Sequence, residues 1–207
     1  MTPLDVPSPI DLKDPQTARE WAAAALERRP ARPVFFEAHA QVLRQHFAGP
    51  CRVLELASGP GFLAQHVLSA LPEVQMVLLD NSPAMHDLAR ERLGTLAVRA
   101  EFVLCDMGQA DALNELGHID AVLTHQAVHE LRHKRHALGL HQRVRALLAG
   151  QGVYVVCDHF YGPGGQKNDQ LYMTVDEQAQ ALRDAGFAHV RLVHQEQGLV
   201  LHTASDA

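Results

Sequence analysis

The stretch Val53–Phe62, VLELASGPGF, decides the fold. It starts as a short apolar strand, turns at two glycines and runs into GFLAQHVLSAL (61–71), whose apolar residues recur at helical spacing. Gly59 and Gly61 let the backbone turn tightly and come close to a ligand. A helix that follows such a turn aims its free N–H groups at whatever binds there. Gly59, Gly61 and Ala64 also fit G-x-G-x-x-A, a dinucleotide fingerprint, so the glycines alone do not choose between cofactors.

Outward from this turn, strands and helices alternate. VQMVLLD (74–80) is a buried strand, and SPAMHDLARERL (82–93) opens with a cap residue and a proline suited to a first turn. AEFVLCD (100–106), IDAVLTH (119–125) and GVYVVCD (152–158) read as further strands. QADALNEL (109–116) and KRHALGLHQRVRALLA (134–149) read as helices. Continuous apolar strands between helices imply a parallel sheet covered on both faces. After a glycine-rich loop, TVDEQAQALRDAGF reads as a helix with a capping box at Thr174 and Glu177. The last two strand-like runs meet near Gln197-Gly198 and predict a hairpin. On the other side, a proline-rich arm fills the first thirteen residues. Helices follow over QTAREWAAAALERR and VFFEAHAQVLRQHF, the second ended by Gly49-Pro50.

The 207 residues suit one domain, with 1–48 as an arm and helical lid and 49–207 as the core. A formal net charge of -6 argues against a nucleic-acid partner. No apolar run has the length of a membrane span, and no basic-then-apolar leader opens the chain. Cys51, Cys105 and Cys157 sit at the edges of apolar strands and read as small core hydrophobes. These features predict a cytoplasmic protein, a monomer or homodimer, without a resident metal.

Three carboxylates narrow the cofactor. Glu55 lies on the first strand, before the turn, where it suits a cationic amine and repels a pyrophosphate. Asp80 ends the second strand, where a carboxylate accepts ribose hydroxyls. Asp106 ends the third, within reach of an adenine amino group. Three carboxylates at successive strand ends suit a ligand with a positive charge and no phosphates.

With these residues the chain resembles the class I S-adenosylmethionine-dependent methyltransferases from about residue 33 to 204. ELASGPG is similar to the family's acidic-x-G-x-G-x-G turn, with Ala57 in place of the first glycine. LLDNSPAMHDLARERL, VLCDMGQ, LLAGQGVYVVCD and DEQAQALRDAGF resemble its later segments. The resemblance implies a Rossmann-like three-layer α/β sandwich with seven strands in the order 3-2-1-4-5-7-6, strand seven antiparallel. It implies S-adenosylmethionine as cofactor, held by Glu55, Ala57, Ser58, Gly59, Gly61, Asp80, Asn81, Met85, Asp106, Met107 and His125. It also implies transfer of a methyl group to an N, O or C atom of a small molecule.

LTHQAVHELRHKRHAL (123–138) holds four of the chain's 14 histidines and the string His129-Glu130-Leu131-Arg132-His133, a match to the zinc-hydrolase H-E-x-x-H. In the methyltransferase topology its first half is the loop after strand four, at the carboxyl end of the sheet where ligands bind. His125, Gln126 and His129 then face substrate or cofactor. His159 and Tyr161, after strand five, face the same cleft, with Phe36 as a further substrate contact. A neutral histidine takes a proton near pH 7, so His129, His125 and His159 are candidate general bases. A zinc-dependent hydrolase built on HELRH and a noncatalytic binder of the same nucleotide are the alternatives. The zinc reading needs His129 and His133 one helical turn apart.

Overall fold

The computed structural model describes residues 5–207. The apolar runs become the strands β1 (Cys51–Leu56), β2 (Val74–Asp80), β3 (Ala100–Leu104), β4 (Ile119–His125), β5 (Leu148–His159), β6 (His189–Glu196) and β7 (Leu199–Ser205). They form one sheet in the order β3-β2-β1-β4-β5-β7-β6, as the resemblance implied. The first five strands run parallel; β7 is antiparallel to both β5 and β6. The β6–β7 turn falls at Gln197 and Gly198, both with positive φ.

Side chains alternate across the strands and feed two cores. Val53, Met76, Leu78, Leu123 and Val155 pack with α2 (Arg32–His46) and α3 (Phe62–Ala70) on one face. Leu54, Leu56, Val77, Leu79, Val122 and Tyr154 pack with α5 (Ala137–Leu147) and α6 (Val175–Asp184) on the other. Both faces are therefore dry, which is why these strands read as continuous apolar runs. Each fully buried Leu, Val or Phe adds roughly 1.5–3 kcal/mol.

The helix caps follow the sequence. Asp14 accepts the Thr17 N–H at the head of α1 (Pro15–Arg28), and Ser82 accepts the Met85 N–H at the head of α4 (Pro83–Leu93). Thr174 and Glu177 form the full capping box of α6. α2 begins at Arg32, two residues before the expected Val34. Proline is tolerated in a first turn, so Pro33 falls inside the helix.

Two expectations need correction. Residues 109–116 form no helix. They are a chain of turns closed by Gln109 N–H to Asp106 O, Ala112 N–H to Gln109 O and Asn114 N–H to Asp111 O. Eight residues make too short a helix to offset nucleation, and the turns still bury Ala112, Leu113 and Leu116. The N-terminal segment, expected as one lid, is divided. α2 is a core helix, with Phe35 and Leu43 wholly buried. The arm and α1 form the cover, with Ala18 and Trp21 packed on Ala84, Met85 and Leu88 of α4.

Candidate active site

The parallel strands end together on one side, and a cleft of about 1100 Å³ opens above them. The floor is the turn after β1. Ala57, Gly59 and Gly61 all take left-handed backbone, with φ of 50°, 54° and 76°. The family's glycine positions are thus occupied in conformation, and Ala57 adopts the first at a cost of about 1 kcal/mol. Gly61 does not line the cleft, contrary to the cofactor contact expected of it. It caps α3, and a Cβ there would meet Ala89 Cβ at 3.1 Å, so its role is close helix packing.

One wall is acidic. Asp80 accepts the Gly59 N–H at 2.8 Å and the Ser82 N–H at 2.9 Å, tying the glycine turn to β2. Glu55 is 3% exposed, and its Oε2 has no hydrogen-bond partner among the described residues. Burial, then the neighbouring Asp80, pushes its carboxyl well above the usual range. A buried carboxyl with a free oxygen in a cleft fits a cationic ligand, which would restore its charge. Asp106 faces the cleft just beyond β3, its Oδ1 on the Gly108 N–H at 2.8 Å. Ser58, Asn81, Met85 and Met107 line the same wall.

The opposite wall gathers the histidines. His129 Nδ1 lies 2.6 Å from Asp158 Oδ1, and the His129 backbone N–H donates to Asp158 Oδ2 at 2.8 Å. Glu130 Oε1 stands 3.2 Å from His129 Nε2. Burial alone would lower the His129 pKa, but Asp158 and Glu130 overcome it and raise it to about 10. His159 lies beside it, ring centroids 5.4 Å apart, with burial holding its pKa down to about 4. His125 packs edge-on to Phe36, centroids 4.9 Å apart. Neither of its ring nitrogens has a hydrogen-bond partner among the described residues, and burial holds it neutral. Gln126, at φ +57°, accepts from Arg32 Nε at 2.7 Å. Tyr161, expected in the substrate site, lies outside the cleft. It is 37% exposed, and its N–H donates to Met173 O.

The zinc geometry does not form. His129 sits in a 3-10 turn (Val128–Leu131), and Arg132 at φ +65° breaks the chain before His133. His133 Nδ1 instead accepts the Arg135 N–H.

Other cleft residues were not legible. Arg28, Arg29, Arg32, Arg132 and Tyr172 line it, together with the arm from Val6 to Lys13. The arm lies across the cleft as a strap. Arg132 donates to the carbonyls of Val6 and Pro7, and Ser82 Oγ donates to Leu12 O at 2.6 Å. Sequence shows the arginines as a cluster around Pro30, but nothing local says which way they point.

Residues 53–152 match the model of a family described as a methyltransferase domain. Solved structures share the fold. An O-methyltransferase family protein from Burkholderia thailandensis is 21% identical with a TM-score of 0.66, over 84% of this chain and 59% of that one. An O-methyltransferase family 2 protein from Planctomyces limnophilus, in complex with apigenin, is 16% identical with a TM-score of 0.74, over 97% and 63%. PigF, solved with SAH, is 15% identical with a TM-score of 0.60, over 74% and 50%. The chain thus spans between half and about six-tenths of these neighbours' lengths. No curated protein matches it.

Proposed function

We propose that the chain is a class I S-adenosylmethionine-dependent methyltransferase and that it methylates a hydroxyl oxygen of a small molecule in the cytoplasm. The observation that carries this reading is the His129–Asp158 pair facing the cleft. An amine nucleophile can react from its neutral form, whereas a hydroxyl needs a group to take its proton.

S-adenosylmethionine, when bound, supplies a methyl group activated by a sulfonium. Glu55 would face its positive charge, Asp80 its ribose hydroxyls and Asp106 its adenine amino group. The free Glu55 Oε2 and the glycine turn fit that cofactor. The rest is the work of the chain. Asp158 holds His129 by Nδ1 and leaves Nε2 toward the cleft. In the resting protein the raised pKa keeps His129 protonated and paired with Glu130. An acceptor hydroxyl at Nε2 displaces Glu130, which keeps Arg132 as a partner at 3.0 Å. Once His129 has lost its resting proton to solvent, the neutral Nε2 takes the hydroxyl proton. The imidazolium that results, stabilised by Asp158, holds the oxygen as an oxyanion. The aromatic rings of Phe36, Tyr172 and Trp21 suit a flat acceptor. The formal net charge of -6 speaks against a nucleic-acid acceptor.

The test joins titration of S-adenosylhomocysteine to methyl transfer from labelled S-adenosylmethionine across matched hydroxyl and amine acceptors. Binding with transfer to hydroxyls is the expected result. Transfer to amines alone, or binding with no transfer, sinks it.

A further inference from the structure

Among the described residues, the helix junction above the histidines holds cations with no carboxylate paired to them. α1 ends at Arg28, Pro30 breaks the chain, and α2 starts at Arg32, with the Arg32 N–H donating to Arg29 O at 3.1 Å. This turn sends Arg29 and Arg32 into the same cleft. Arg32 is only 6% exposed. Its guanidinium finds one neutral acceptor, Gln126 Oε1, and lies 5.1 Å from the Trp21 ring. Among the described residues no carboxylate pairs with Arg32 or Arg29. Arg52, Arg132 and Arg145 each pair with a carboxylate. Burial, and then the Arg29 charge, pushes the Arg32 pKa down to about 10, a sign of an uncompensated cation.

Leaving a guanidinium buried without an anion is unfavourable. The carboxylates of the cleft offer no relief. Glu55, Asp80 and Asp106 belong to the far wall, Glu130 pairs with His129 and Arg132, Asp11 accepts the Lys13 N–H, and Asp158, behind the cleft, is committed to His129. Gln126 bridges from Arg32 toward His159, with Nε2 3.4 Å from His159 Nε2, so the cations share the histidine end of the cleft. We propose that the acceptor carries an anionic group, a carboxylate or a phosphate, which Arg29 and Arg32 bind. The proposal rests on the methyltransferase reading for calling this ligand the acceptor. The binding site stands on the arginines themselves. Bound there, the anion orients the acceptor while its hydroxyl meets His129.

The experiment is calorimetric titration of the full chain, with and without saturating S-adenosylhomocysteine. The probes are 4-hydroxybenzoate, phenyl phosphate and the neutral 4-hydroxybenzamide. At least one anion should bind about tenfold or more tighter than the amide, and the tighter anion identifies the source. Arg29→Ala and Arg32→Gln should each cut that anion's affinity about tenfold and leave the amide's unchanged. Arg29 is exposed, so Arg29→Ala decides the matter if Arg32→Gln fails to fold. An anion affinity no better than the amide's, or one indifferent to Arg29→Ala, overturns the proposal. Weaker S-adenosylhomocysteine binding with unchanged anion binding assigns the pair to the cofactor and also overturns it. Failure of S-adenosylhomocysteine to bind wild type removes the methyltransferase reading, while the anion titrations without it still decide whether the arginines form a site.

Discussion

The two walls of the cleft carry opposite charge and are built by opposite means. The acidic wall places Glu55, Asp80 and Asp106 at or just beyond the ends of three adjacent parallel strands. The histidine wall is assembled from the loops after β4 and β5 and the α1–α2 junction, segments up to about 130 residues apart in the chain. The first wall follows from local pattern, because a strand end in a parallel sheet has one place to go. The second depends on how loops and helices close over the sheet. The difference separates binding of a cationic cofactor from selection and activation of an acceptor.

The sharpest way to break that division is His129→Gln. It should lower kcat roughly 10²–10⁴-fold while S-adenosylhomocysteine affinity, measured by calorimetry, stays at the wild-type level. Loss of cofactor affinity instead would show that the walls are not separate. The pH profile sharpens the same point. The His129 pKa is raised to about 10, so the neutral form grows about tenfold per pH unit from 7 upward. Wild-type kcat/KM should climb with pH and level off near that value, and His129→Gln should lose the climb. Glu55→Gln probes the other wall. S-adenosylmethionine affinity should fall roughly 10- to 100-fold with little change in kcat at saturation. The sign of its pH dependence is also set. The Glu55 pKa is raised, so wild-type affinity should weaken as pH falls through it, and the variant should show no such dependence. Smallest is Ala57→Gly, which relieves the positive φ and should add about 1 kcal/mol, or roughly 2–4 °C in the melting temperature.

How much was legible follows the range of the interaction. The seven strands, the glycine turn and three helix caps were all readable, because strand period, turn chemistry and caps act within a few residues, whereas the strand order was implied by the family resemblance. Residues 109–116 show the limit: helical spacing was present, but short turns satisfied the same apolar contacts. Tyr161 shows another, since a loop position near the right strand end does not decide which way a ring points. Arg32 was missed because it falls before the expected helix start at Val34, and nothing local says which way its side chain points. The HELRH string was recognised as spanning a loop and a helix start, and the break at Arg132 agrees.

The sequence by itself determined the strands and the acidic strand ends, since each depends on local periodicity, while the order of the strands came only from the family resemblance. Tertiary structure alone decided that Asp158 meets His129, that Glu55 keeps a free oxygen at the buried floor of the cleft, and that Arg29 and Arg32 face the histidines with no carboxylate paired to them among the described residues. Those three facts are about charge in a low-dielectric cleft. Charges there act on whatever folding brings within a few ångströms, however far apart the residues stand in the chain.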